Sequence, residues 1–183
     1  MKKNMIHMIV LAMACLFASC QDSSKLVISD LQCEYLNAPL AIDNTTPHFG
    51  WKMTCGQNGM SSSAYQILVA TELDKLNEEE ADLWNSGKVS SDTSIGIAYG
   101  GKALTSRTQA YWKVRVWNQA DVPSEWSKPS SFGIGMLSEN DWSAEARFIG
   151  VEQTDEKSQS APLLRKSFTY EPSKGKALLS VNS

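Results

Sequence analysis

The chain has 183 residues and a formal charge of −3, with 20 acidic residues against 17 basic ones. That balance excludes the strongly basic surface on which nucleic-acid recognition rests, so no nucleic acid is expected as a partner.

The first residues read as a leader and not as part of the fold. Lys2 and Lys3 precede an apolar run over 8–18 that stops at Ser19-Cys20. A run that short does not span a bilayer and has the size of a signal-peptide core. Leu16-Phe17-Ala18-Ser19-Cys20 resembles a bacterial lipoprotein lipobox, and polar Gln21-Asp22-Ser23-Ser24-Lys25 follows it. Residues 1–19 are therefore expected to be a lipoprotein signal peptide, Cys20 the lipidated first residue and 20–25 a linker. The mature part would be secreted and held at a membrane by that lipid, facing the periplasm or the cell exterior. An ordinary secretory signal cut near Ser19 is the alternative, because Phe17 stands where the usual motif has a smaller residue. Loss of Lys2 and Lys3 with the leader takes the charge from −3 to −5.

Within 26–36, Leu31, Cys33 and Tyr35 alternate with Asp30, Gln32 and Glu34, the period of a strand with one apolar face. A turn-rich connection over 39–47 leads to Phe49, Trp51 and Met53, which alternate with Gly50 and Lys52 in a second strand. Residues 56–63 form a loop by composition. The run 65–70 is apolar at nearly every position and suits a strand covered on both faces. Segment 72–82 is the one place where a helix is expected, of one or two turns, with Leu73, Leu76 and Ala81 as a weak stripe. Its Glu78, Glu79 and Glu80 read as a solvated face and not a cation site, because adjacent carboxylates on a helix point apart. Residues 83–89 return to extended chain with a kink at Ser86-Gly87, and 95–99 is a further short strand. In the stretch 111–117, Trp112, Val114 and Val116 fall on one side and Lys113 and Arg115 on the other. A polar turn over 118–124 and a second run ending at Phe132 and Ile134 complete a hairpin. About seven short strands over 26–136 predict an all-β sandwich, immunoglobulin-like or fibronectin type III-like, with buried Trp and Tyr filling its small core.

Few residues suggest chemistry. His48 beside Pro47 reads as a surface turn residue, with no nucleophile or carboxylate paired to it in a recognisable motif. Antiparallel pairing of the first two strands sets Cys33 opposite about residue 50, which leaves Cys55 on the order of 16 Å away along the strand, too far for a disulfide. No metal site and no cofactor is expected, since no His or Cys cluster has ligand spacing. Trp117, Trp126 and Trp142 are candidates for stacking on a sugar ring or for packing against a neighbouring domain.

Four stretches in order carry a family resemblance: Ser63-Ala64-Tyr65-Gln66-Ile67-Leu68-Val69-Ala70, then Asp82-Leu83-Trp84-Asn85-Ser86-Gly87-Lys88-Val89, then Tyr111-Trp112-Lys113-Val114-Arg115-Val116-Trp117, then Trp126-Ser127 with Phe132. Together they resemble the fibronectin type III-like N-terminal domain of bacterial α-L-rhamnosidases, glycoside hydrolase family 78. The likeness runs on through Gly135-Met136-Leu137, Asp141-Trp142, Ile149-Gly150 and Ala161-Pro162-Leu163-Leu164-Arg165-Lys166-Ser167-Phe168. It implies a sandwich over 26–136, a linker over 137–160 and, over 161–183, the incomplete start of a second β-domain. Phe148 replaces the tryptophan common in that family, and Trp112 stands where related sandwiches place a corner tyrosine. The resemblance puts hydrolysis of terminal α-L-rhamnosyl residues on an (α/α)-barrel that follows the β-domains. No catalytic residue can be carried onto this chain. Its expected partners are then a downstream catalytic domain, the membrane, and rhamnose-containing glycans only through the full enzyme. A free-standing lipid-anchored carbohydrate- or protein-binding module and an inactive truncated product are the alternatives.

Overall fold

A computed structural model describes residues 25–147, 165–167, 169 and 171. The expected leader, Cys20, Phe148 and most of the expected second β-domain lie outside the described residues. The chain divides into two units, 1–142 and 143–183. In the second, the described stretch 143–147 is exposed and holds local turns, with Ser143 Oγ accepting the Glu145 N–H at 3.1 Å.

The described residues of the first unit form a β-sandwich of eight strands: β1 (Val27–Cys33), β2 (His48–Thr54), β3 (Ser62–Ala70), β4 (Trp84–Asn85), β5 (Val89–Ser90), β6 (Ile97–Ala98), β7 (Gln109–Asn118) and β8 (Ser130–Gly133). One sheet has the order β1-β2-β6; the other has β4-β3-β7-β8, with β5 also on β3. All named pairs are antiparallel. The count of eight against the expected seven comes from the kink at Gly87 (φ +61), which splits 84–90 into two short strands along β3.

Strand alternation builds the core. Trp112, Val114 and Val116 of β7 face Phe49 and Trp51 of β2 across the sandwich, with Ile67 and Val69 of β3 and Phe132 of β8 beside them. Trp112 lies 4.4 Å from Phe49, ring centre to ring centre, at the middle of this cluster. On the other face of β3, Leu68 and Ala70 are buried beneath Leu76 of the 71–82 loop. That loop is where the expected helix fails. Asn77 Oδ1 accepts the N–H groups of Glu79 and Glu80, and Asp82 closes the loop onto Thr71 N and Oγ1 at 2.8 and 2.6 Å. Side chains that satisfy nearby N–H groups stabilise turns in place of a helical ladder, and only Leu76 of the expected stripe is fully buried.

The first strand departs from simple alternation. Ser29 and Gln32 pair with Lys52 and Gly50, so two β1 residues oppose Trp51 alone, a bulge with Asp30 in the left-handed region (φ 53). The strand ends at Cys33 and reverses over Glu34 (φ 51) and Tyr35 (φ 62), with reciprocal bonds between Cys33 and Leu36 of 2.9 and 3.0 Å. Two positive φ values at the centre of a two-residue loop are the type I′ pattern. Tyr35 is therefore 68% exposed instead of lying on the inner face with Cys33. The register sets Cys33 opposite Phe49, one residue from the expected partner, and both Cys33 and Cys55 are thiols. Burial pushes the Cys33 thiol up to about 12, with the Glu34 charge adding to it, which makes it inert.

Two further segments complete the sheet edges. Residues 39–42 cross to the second sheet and run beside β8, where Ile42 forms a parallel bridge with Ile134. After the turn at Asn118, the Ser124 and Ser127 N–H groups bond Val116 O and Val114 O, both at 2.8 Å. Their hydroxyls accept the N–H groups of Val116 and Val114, both at 3.1 Å. A three-residue repeat on a strand edge is the period of a polyproline II segment, and it satisfies β7 where β8 does not reach. Ser127→Ala leaves the buried Val114 N–H without an acceptor and is expected to cost about 1–3 kcal/mol, measured as a shifted urea midpoint with an unchanged slope.

Candidate functional site

The outward positions of β7 are Tyr111, Lys113, Arg115 and Trp117, and the polyproline-like segment lays Trp126 across them. Lys113 Nζ lies 4.9 Å from the Trp126 ring centre and Arg115 Cζ 4.6 Å from it. Arg115 Cζ is also 4.9 Å from Trp117, as is Lys88 Nζ. Cations and rings thus alternate along the face, Lys113, Trp126, Arg115, Trp117, Lys88. Arg115 and Lys88 are also held from their other sides. Arg115 Nε and Nη2 donate to Gln66 Oε1 at 3.1 and 2.8 Å, Arg115 also pairs with Glu78, and Lys88 pairs with Asp121. Burial holds Lys113 below the usual lysine range, opposed by the Glu78 charge and reinforced by Arg115.

This arrangement decides what the predicted tryptophans do. Trp117 is only 8% exposed, so it is not the open ring that alternation alone suggested. Trp126 is half-buried, and Arg115 and Lys113 lie against it. A sugar stacking on either ring would displace a cation worth about 0.5–1 kcal/mol where exposed. Trp142 is not part of the ladder: it follows a 3-10 turn at Glu139–Asp141 and is half-buried. The structure brings Trp117 and Trp126 together through Arg115 and leaves Trp142 at the end of the first unit.

The carboxylates hold loops in place. Glu34 Oε1 accepts bonds from His48 N at 2.7 Å and Asn44 Nδ2 at 3.0 Å, and the His48 ring Nδ1 stands 3.1 Å away. His48 is therefore the first residue of β2 and a partner of Glu34, not a turn residue. Burial pushes the Glu34 carboxyl up, but the bonds from His48 and Asn44 outweigh it and hold it below the usual range. Asp82 is likewise pushed up by burial and brought down further by Thr71 and Lys75. Asp141 is lowered chiefly by Ser106 Oγ, which donates to it at 2.5 Å, and by Ser138 N. Depressed carboxylates contribute stability that is complete above their unfolded values, about 4, and that is lost as pH falls through the lower folded values. The melting temperature is therefore expected to be flat from neutral pH down to about 5 and to fall below about 4. Glu34→Gln should soften that acid limb and lower stability at neutral pH by about 1 kcal/mol.

Among the described residues, no three His, Cys, Asp or Glu side chains come together as a metal-binding group. A depression of 180 Å³ on the outer face of the β1-β2-β6 sheet, around Gly50, carried no sequence signal beyond a glycine inside a strand pattern.

Residues 28–138 match the model of the Rha78A-like, N-terminal immunoglobulin domain family. An α-L-rhamnosidase of Formosa agariphila is 43% identical over 153 residues, 81% of this chain and 16% of that protein. One of Streptomyces avermitilis is 39% identical over 66% of this chain and 12% of its own length. The crystal structure of the Streptomyces avermitilis α-L-rhamnosidase complexed with L-rhamnose superposes with a TM-score of 0.62 at 38% identity, covering 64% of this chain and 11% of that one. The structure of an α-L-rhamnosidase from Dictyoglomus thermophilum gives 0.60 at 34% identity, over 63% and 13%. The chain thus spans about a sixth or less of the relatives it matches. On its two-sheet topology and the match over 28–138, it belongs to the Rha78A-like N-terminal immunoglobulin domain family and is homologous over that domain to α-L-rhamnosidases.

Proposed function

We propose that this chain is the non-catalytic amino-terminal β-sandwich portion of a secreted α-L-rhamnosidase, held at a membrane through a lipid on Cys20. Its work there is architectural: it anchors and spaces a catalytic barrel and packs against the domains that follow. The observation that carries this reading is the match of the whole sandwich, 28–138, to a family defined as the N-terminal domain of such enzymes. The chemistry agrees with it. Inverting glycoside hydrolysis uses two carboxyl groups about 6.5–9.5 Å apart across a cleft, one of them with a raised pKa. Glu34, Asp82 and Asp141 are all displaced the other way, toward the ionised form, and each accepts a backbone N–H. A glycoside-directed acid would have to be protonated at working pH.

The test is an assay of the purified chain on a chromogenic α-L-rhamnoside. Release indistinguishable from buffer is expected. Turnover that scales with chain concentration and survives repurification would end the non-catalytic assignment.

A further inference from the structure

We propose that the groove around Gly50, on the outer face of the β1-β2-β6 sheet, binds one ring of a neutral sugar. The groove exists because of that glycine. His48, Gly50 and Lys52 are the outward positions of β2, since Phe49 and Trp51 point into the core. Gly50 leaves a gap between two long side chains. Neither conformation nor packing requires glycine there. Its φ is not in the left-handed region, and a Cβ would meet only Ser94 O at 3.5 Å and Ile95 Cα at 3.7 Å, ordinary contacts. A glycine inside a strand weakens it unless something approaches the backbone closely. Here the backbone of 94–95 runs beside β2, with Trp51 N donating to Ser94 O at 2.9 Å, yet it leaves room for a Cβ.

The walls have the mixed character that sugar recognition uses. Tyr35 is 68% exposed and Ile95 64%, and both line the groove. Gln32 is paired with Gly50 across the β1-β2 ladder and offers an amide beside the floor. Asp30 and Lys52 close one end, 2.5 Å apart. Apolar C–H faces of a pyranose suit the Tyr35 and Ile95 walls, while its hydroxyls suit a donor and an acceptor set side by side. Lys52 is already paired with Asp30, and the His48 ring nitrogen is hydrogen-bonded to Glu34, so the groove offers no unpaired pole to a phosphate or carboxylate. Its 180 Å³ falls below the roughly 300–1,000 Å³ of drug-sized sites, which limits the occupant to a single ring.

The backbone around the groove departs from what local preference favours. Asp30, Glu34 and Tyr35 all have positive φ without being glycine, and Gly96 on the opposite rim has φ +72. The Asp30 bulge and the Glu34-Tyr35 turn are what bring a carboxylate and a phenol ring to this face.

The proposal is separate from the architectural role and does not depend on it. Amide chemical shifts of the purified chain would be followed during titration with L-rhamnose, D-galactose, D-glucose and, as a charged comparator, inorganic phosphate. At least one neutral sugar is expected to saturate in the millimolar range, with shifts concentrated at 30–35, 48–52 and 94–96. Gly50→Leu should fill the groove and weaken binding on the order of tenfold or more at a melting temperature no lower than the parent's. Tyr35→Asn should weaken binding while raising the melting temperature, because Asn suits the left-handed turn better. A purely structural Tyr35 could not give those opposite signs. The proposal is overturned if no sugar in the panel shifts these amides, if phosphate binds better than the sugars, if Gly50→Leu binds as well as the parent, or if the shifts fall on the Trp117 and Trp126 face. Sugar binding of this pattern would stand whatever the rhamnoside assay returns.

Discussion

Trp112→Ala is expected to destabilise the sandwich by about 3–5 kcal/mol, a large share of the roughly 5–15 kcal/mol that holds a domain of this size together. The indole is completely buried and packs on Phe49, which itself contacts Phe132, Tyr99 and Trp84. Removing it opens a cavity bounded by both sheets, where β-ladders on each side prevent collapse. Trp112→Phe should behave differently. The indole Nε1 has no hydrogen-bond partner in the core, so Phe loses some volume but also removes a buried, unsatisfied donor. A loss below about 2 kcal/mol is expected for Phe, with both variants compared by urea unfolding. Equal losses would mean that the part of the indole that Phe lacks, and not the bulk that Phe keeps, holds the core.

Gly133→Ala is the second large effect, expected at about 3 kcal/mol or more. A Cβ at Gly133 would lie 2.2 Å from Leu40 O and 2.2 Å from Gln109 Nε2, and the first of these is backbone. The crossing segment cannot step aside, because Gly133 N donates to Pro39 O and Ile42 N donates to Gly133 O, both at 2.9 Å. Gly50→Ala is the control, with a Cβ in ordinary contact and a change within about 0.5 kcal/mol. Measured by thermal unfolding, Gly133→Ala should melt far below Gly50→Ala; similar values would show that residues 39–42 do not pack on β8 in solution.

The strands that were legible in the sequence are those whose side chains meet a period. Within β3 the run 65–70 is apolar at nearly every position because one face meets the core and the other meets Leu76, and β7 alternates because its inner residues face Phe49 and Trp51. Gly87 marked its own kink. What escaped reading has no compositional signature. The Asp30 bulge and the Glu34-Tyr35 turn place ordinary residues at positive φ, where glycine or asparagine would have announced them. Residues 39–42 open the turn-rich stretch 39–47 yet serve as a sheet edge. Ser124 and Ser127 act as pairing partners of β7 only because their three-residue spacing matches a helix with no internal bonds. Loop 71–82 carries enough charge and spacing to suggest a helix, and Asn77 and Asp82 divert its N–H bonds.

The candidate site divides the same way. Trp117 and Trp126 could be picked out as outward-facing aromatics, but their cations come from β7 itself and from Lys88, 29 residues before Trp117 in the chain and brought close by β5. No local pattern reports such a long-range approach. The Gly50 groove was hidden for the opposite reason, since it is defined by a missing side chain and by two backbone irregularities on a neighbouring strand.

An architectural module should be exchangeable within its family. Residues 26–142 of this chain would replace the corresponding segment of the Formosa agariphila α-L-rhamnosidase, and rhamnose release by the purified chimera would be compared with that of the parent enzyme. A kcat within about tenfold of the parent is expected, because no reacting group lies in the exchanged part. A well-folded chimera that has lost activity by several orders of magnitude would place part of the reaction in the module and contradict its reading as scaffold.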